Sequence, residues 1–132
     1  MKELFVEAKI ENLYLVLDFV NSHIEDRPPK IRNQLGIVID EVFSNISRYA
    51  YTPGIGSAAI RISVDENITL EFEDSGVAYN PLLSMTPNIA LSADEREVGG
   101  LGLLMVKNLT DSVEYKRVCN KNILTITKRL QV

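Results

Sequence analysis

The sequence predicts a two-layer α/β sandwich, an α+β arrangement in which a mostly antiparallel, mixed sheet is covered on one face by helices. Three observations predict it. Two early stretches carry apolar residues at helical spacing, "AAIRISVDENITLEFED" alternates apolar and polar residues as two strands joined by a tight turn, and a second alternating pair closes the chain. Strands joined by short turns pair antiparallel, and a helix with one apolar stripe has to bury that stripe against a neighbouring layer.

Taken in order, "KELFVEAKI" alternates as an opening strand. Leu13, Val16, Leu17, Val20 and Ile24 then recur at helical spacing, predicting a helix over 11–25. "EDRPPK" breaks it, and Pro28 or Pro29 suits the first turn of a second helix that runs to about Ala50 on Ile31, Leu35, Val38, Val42, Ile46 and Tyr49. "TPGIGS" stops that helix. A hairpin follows, with Ile60, Ile62 and Val64 on one strand, Ile68, Leu70 and Phe72 on the other, and a turn at Asp65, Glu66 and Asn67. The polar segment 82–98 has no periodicity, and a loop of that length in a compact domain is characteristically a functional lid. "GGLGLLMVKNLTD" reads as a glycine-rich turn opening a short helix, and "SVEYKRV" with "NILTITKRL" as a final hairpin turning at Asn120 and Lys121.

The 132 residues suit one domain, 1–132. Apolar residues are 45% and charged residues 24%, ordinary globular proportions, and no apolar run approaches the roughly 20 residues that span a bilayer. The start carries scattered acids and no apolar core of a signal peptide. These features lead to an expectation of a soluble, cytoplasmic protein with no membrane partner. Net charge is −4 and pI near 5.0, with no basic stripe, which speaks against nucleic acid as a partner. One cysteine, Cys119, and one histidine, His23, exclude an intrachain disulfide and disfavour a zinc site. Cys119 reads as a buried filler in a strand and His23 as a surface or capping residue near the end of the first helix.

The second helix carries polar residues beside its apolar stripe. At about 100° per residue, Asn45 lies about 20° outside the arc of Val38, with Glu41 and Arg48 further along the same side. Alone, this trio reads either as a solvated helix edge or as a track for a ligand between helix and sheet. "DSGVAYNP" places Asp74 at a strand end and Gly76 two residues on: a carboxylate able to accept from an amino group, and a glycine that removes side-chain bulk, or equally an ordinary turn. Gly99, Gly100 and Gly102 before a helix form an anion-binding arrangement or a flexible turn. No Gly-Lys-Ser/Thr follows, so this is not a Walker A loop, and no parallel βαβ context makes it a dinucleotide fingerprint.

In this order, the acid-amide helix, strand-Asp-x-Gly, polar lid and Gly-Gly-x-Gly before a helix resemble the GHKL or Bergerat-fold ATPases, the superfamily of gyrase, the heat-shock chaperone, histidine kinases and MutL proteins. Within it, "GGLGLLMVKNLTDSVEY" and "NILTITKRL" look most like the anti-sigma factor serine/threonine kinases that act on STAS-domain antagonists. The resemblance spans nearly the whole chain and implies ATP and Mg2+ as cofactors. By that resemblance Asn45 is the magnesium ligand, Glu41 the general base, Arg48 a phosphate contact, Asp74 the acceptor for the adenine amine and Gly76 the glycine that admits the ring. It likewise implies that Asn80 lies near the nucleotide while Tyr79 packs, that Gly99, Gly100 and Gly102 present N–H groups to the phosphates, and that Asn122 lies beneath the adenine. Arg96 reads as a solvated lid charge, or as a contact to phosphate or partner. The chain departs from the family in "NISRYAY", where Ile46 and Arg48 replace a small residue and a histidine, and in a lid ending "REVGGLG" that is less basic than a typical kinase's.

The implied activity is Mg-ATP-dependent phosphorylation of a serine or threonine on a STAS-domain anti-sigma antagonist, with a sigma factor as a further partner and a homodimer expected from the family. The alternatives are a non-catalytic, ATP-gated module that sequesters a protein partner, and a slow ATPase.

Overall fold

Pairing of five strands into one sheet organises the chain, and the computed structural model describes residues 1–51, 54–84 and 100–130. The strands are β1 (Lys2–Glu7), β2 (Ser57–Val64), β3 (Asn67–Asp74), β4 (Ser112–Val118) and β5 (Lys121–Arg129). They lie in the order β1-β2-β3-β5-β4, and every pairing is antiparallel. The helices are α1 (Leu13–Asn21), α2 (Pro29–Tyr49) and α3 (Gly100–Leu109), with short 3-10 turns at Ile10–Asn12 and Pro81–Ser84. This is the two-layer α+β architecture the residue pattern predicts, with the sheet wholly antiparallel rather than mixed.

The alternation of each strand decides which face meets the helices. Ala58, Ile60, Ile62, Ile68, Leu70, Phe72, Leu124 and Ile126 point to the inner face and form a core with Val16, Val20, Leu35, Val38, Ile39, Val42 and Phe43 from α1 and α2. Each such Val, Leu, Ile or Phe side chain, fully buried, contributes about 1.5–3 kcal/mol by leaving water. Pro29 opens α2 where its missing N–H has no bond to lose. α1 is shorter than its apolar pattern predicts, because the chain beyond Asn21 continues as tight turns with His23 N–H bonded to Val20 O and Ile24 N–H to Asn21 O. Ile24 nevertheless stays fully buried, which is why the helical spacing extends past the helix. His23 lies beyond the helix end, edge-on to the Phe19 ring at 5.1 Å.

The outer face carries charge. Arg61 on β2 donates to Glu3 Oε2 at 2.8 Å, Glu71 Oε1 at 2.9 Å and Glu73 Oε1 at 2.9 Å, and Lys121 reaches Glu73 Oε2 at 3.3 Å. Burial pushes the Glu73 carboxyl up, but the hydrogen bond and charge of Arg61, with Lys121 beside them, outweigh it and hold Glu73 below its ordinary value.

Two turns decide register. Asp65 closes the β2–β3 hairpin, its Oδ1 accepting from Asn67 N–H at 2.9 Å. The β4–β5 hairpin turns at Cys119 and Asn120, with φ of 52° and 63°, the left-handed pair of a type I′ turn. The turn therefore falls one residue before the position read from sequence. Cys119, expected in a strand interior, is exposed. The expected lid over 82–98 lies mostly outside the described residues, as do Arg96 and Gly99; its first residues form the 3-10 turn at Pro81–Ser84.

Candidate functional site

Register across the centre of the sheet assembles the site. β3 and β5 are neighbours, and their pairing sets Asp74 directly opposite Asn122. Both side chains point inward at the ends of apolar alternations and are buried, with 6% and 7% of their surface exposed. Burying two such groups is tolerable only when they are hydrogen-bonded. Asn122 Nδ2 donates to Asp74 Oδ1 at 2.9 Å and to Val77 O at 2.8 Å. Its Oδ1 accepts from Tyr115 Oη at 2.5 Å, Arg117 Nη1 at 3.1 Å and Tyr79 N–H at 3.3 Å. Asp74 Oδ1 also accepts from Gly76 N–H at 2.9 Å.

A partly open cavity of about 50 Å³ sits between this network and α2, lined by Val42, Asn45, Ile46, Tyr49, Asp74 and Asn122 among others. A volume of that size admits a few waters. The cavity opens outward past Val77 and Tyr79, both of which are exposed at its rim.

Asn45 is the anomaly in this cavity. It is 8% exposed, and among the described residues neither Oδ1 nor Nδ2 has a hydrogen-bond partner. A buried amide left unpaired costs about 1–3 kcal/mol, so its retention calls for a ligand. An amide oxygen suits magnesium, which keeps several waters and takes few protein oxygens together with phosphate. Among the described residues no three His, Cys, Asp or Glu side chains cluster as metal ligands. Asn45 Oδ1 therefore fits an ion whose remaining ligands come from phosphate and water rather than from an all-protein cage. Glu41, one turn earlier, is half-buried, does not line the cavity, and makes no hydrogen bond or ion pair among the described residues. It lies on the same side of α2 as Asn45, four residues earlier.

The structure places other predicted residues differently. Arg48, expected at the phosphates, lines a separate groove with Ala8, Ile10, Ser44, Ser47 and Ile55, because its position on α2 is rotated away from the cavity. Ile46 and Tyr49, read only as core residues, are cavity walls. Gly76 is needed for a different reason than ring access: a Cβ there would lie 2.1 Å from Ala50 O, because the strand end packs against the last turn of α2, where Val77 N–H donates to Ala50 O at 3.0 Å. Asn80 does not line the cavity; its Oδ1 accepts from Leu82 N–H at 3.0 Å and starts the 3-10 turn. Tyr79, expected only to pack, lines the cavity instead. Gly100 and Gly102 fall in the first turn of α3, where free N–H groups and the helix dipole favour anions. The base-end partners Tyr115 and Arg117 were not singled out. A type I′ turn at Cys119 and Asn120 pairs Arg117 with Asn122 and Tyr115 with Leu124, whereas a turn one residue later shifts each partner by two.

Comparison with known proteins agrees with this geometry. The family model described as a histidine kinase-like ATPase domain matches residues 6–128. The "Serine/threonine-protein kinase BtrW" of Bordetella bronchiseptica is 33% identical over 101 residues, covering 74% of this chain and 70% of that protein. Among solved structures, the histidine kinase domain of the Erythrobacter litoralis EL346 blue-light activated histidine kinase superposes with a TM-score of 0.57 at 20% identity over 92% of this chain. This chain covers only 60% of that domain's length. The Acinetobacter baumannii histidine kinase AdeS gives a TM-score of 0.53 at 19% identity over 100% of this chain and 70% of its own. These two likenesses concern the fold. No helix among the described residues is long and apolar enough to cross a membrane. With the motifs, the sheet order and the family match in agreement, the chain belongs to the histidine kinase-like ATPase domain family, whose members bind ATP.

Proposed function

We propose that this chain is a Mg-ATP-dependent protein serine/threonine kinase of the anti-sigma regulatory type, acting in the cytoplasm on a STAS-domain antagonist. The observation that carries it is the pairing of unlike ends in one cleft: among the described residues, Asp74 is a buried carboxylate with one oxygen left as a free acceptor, and Asn45 is a buried amide without a partner. The first suits an amino-bearing base, the second a cation at phosphate. The relative named as a serine/threonine-protein kinase supports the reaction class.

In this reading Asp74 accepts a hydrogen bond from the base, while apolar walls from Val42, Ile46, Phe72 and Leu124 exclude water from it. Asn45 would hold a magnesium ion through Oδ1, and such an ion would neutralise charge on phosphate oxygens. Glu41, one helical turn away, takes the proton of the attacking serine hydroxyl, which raises its nucleophilicity as the O–P bond forms and the diphosphate leaves. N–H groups in the first turn of α3 stabilise the phosphate oxygens.

Incubation with γ-labelled ATP and a STAS-domain antagonist protein from the same organism is expected to yield phosphoserine or phosphothreonine on that protein. Glu41→Gln should keep Mg-ATP binding and lower phosphotransfer by about 10²–10⁴-fold, the usual contribution of a general base. Normal ATP binding with no labelled acceptor refutes the kinase. Glu41 lying off the cavity wall favours a second reading, a module whose nucleotide gates partner binding; there, partner affinity depends on ATP and survives Glu41→Gln.

A further inference from the structure

Two side chains of β4, Tyr115 and Arg117, have no part in the chemistry above, yet both converge on the amide that grips Asp74. Asn122 can present either end to the carboxylate, since rotating its amide by half a turn exchanges Oδ1 and Nδ2. Acceptors only, Asp74 Oδ1 and Val77 O, meet one end. Tyr115 Oη, Arg117 Nη1 and Tyr79 N–H meet the other. Two of these three, the guanidinium and the backbone N–H, can donate but cannot accept. The reversed amide would set N–H groups against N–H groups and an oxygen against a carboxylate. Arg117 also donates to Gly76 O at 3.0 Å, fixing the turn that supplies the Gly76 and Tyr79 N–H groups.

Asp74 shows the consequence. Its Oδ1 takes two donors, Gly76 N–H and Asn122 Nδ2, while among the described residues Oδ2 takes none, and Asp74 lines the cavity. We propose that Tyr115 and Arg117 are positioning residues for base selection: clamping Asn122 Oδ1 commits Nδ2 to Asp74 Oδ1 and reserves Asp74 Oδ2 for an exocyclic amine. The cleft then prefers a base that donates at that position over one that presents hydrogen or a carbonyl. This inference rests on the reading that the cavity takes an adenine nucleotide.

Calorimetric titration of the full chain with Mg-ATP and with Mg-purine riboside triphosphate, which carries hydrogen in place of the amine, tests it. The wild-type protein should bind ATP about tenfold more tightly than the deaminated nucleotide, the worth of one hydrogen bond to a charged acceptor. Tyr115→Phe and Arg117→Met should each shrink that ratio about threefold, mostly by weakening ATP, and Arg117→Lys, which keeps a donor, should recover part of it. If a variant weakens both nucleotides in parallel and leaves the ratio intact, Tyr115 and Arg117 merely support the fold and the proposal is overturned. A wild-type protein that binds neither nucleotide, or both equally, overturns instead the adenine-site reading on which it rests. Should Arg117→Met fail to fold, Tyr115→Phe removes a single oxygen and carries the same measurement.

Discussion

The two ends of the cleft are built on opposite principles. At the base end, four elements converge on two side chains, and the Asn122 amide is satisfied at both ends by protein groups. At the phosphate end, the Asn45 amide is as buried as Asn122 but has no partner among the described residues. The same functional group, equally desolvated, is thus a structural tie in one place and an unmet demand in the other. A satisfied polar network is rigid and specifies one arrangement. An unsatisfied amide destabilises the free protein and returns that energy when a ligand arrives, which couples binding to stability.

The largest expected effect separates the ends directly. Asn45→Leu, close in volume, should lower Mg-ATP affinity about a hundredfold, as loss of a metal-linked group commonly does, while raising the stability of the nucleotide-free protein by about 1 kcal/mol through removal of an unpaired amide. Calorimetry and thermal denaturation read the two signs separately, and a destabilised variant would show that Asn45 has a structural partner. At the base end the order reverses. Gly76→Ala drives a Cβ toward Ala50 O, 2.1 Å away, and should cost about 1–3 kcal/mol in urea denaturation even before nucleotide is added. Equal stability there would mean that the α2 end yields easily, and that the base end is less rigid than its bonding implies.

The smallest effect lies on the outer face, where the polar groups are satisfied but remote from the cleft. Arg61→Met should cost about 1 kcal/mol at neutral pH by stranding three carboxylates, and should leave Mg-ATP affinity unchanged. Since Glu73 titrates below its ordinary 4.5 when folded, its contribution is complete above pH 4.5 and fades as pH falls through the lower folded value. The cost of Arg61→Met should fade over that same range, and a cost that persists in acid would assign it to lost packing of the arginine stem.

How far the sequence could be read depended on the range of the interaction. α2 was legible, since Pro29 at its start and an apolar stripe at helical spacing are local signals. So was the inward placement of Asn122, which alternation puts on one strand face with Leu124 and Ile126. For Arg48, helical arithmetic assigns an angle and not what stands opposite: an angle near Asn45 opens onto the groove beside Ile10 and Ile55. Gly76 carries a further requirement that the sequence hid, since the close approach of the Ala50 carbonyl comes from the end of a helix 26 residues earlier (76 − 50) and leaves no local mark. The Tyr115 and Arg117 contacts were hidden by one residue of turn placement. Cys119 and Asn120 carry little of the Asn-Gly signal that marks a type I′ turn, and partner identities shift by two for each step of the turn.

Local chemistry therefore specified the elements, the buried faces and the residue types of an ATP-binding family, because periodicity, turn residues and short motifs act over a few positions. Which polar groups meet was decided by the fold. Asp74 and Asn122 become partners only when β5 docks beside β3, and Asn45 becomes a buried amide with no partner among the described residues only when α2 covers the inner face of the sheet. Hydrogen-bond satisfaction is a property of the assembled neighbourhood, so it appears only once strands distant in sequence have been brought into register.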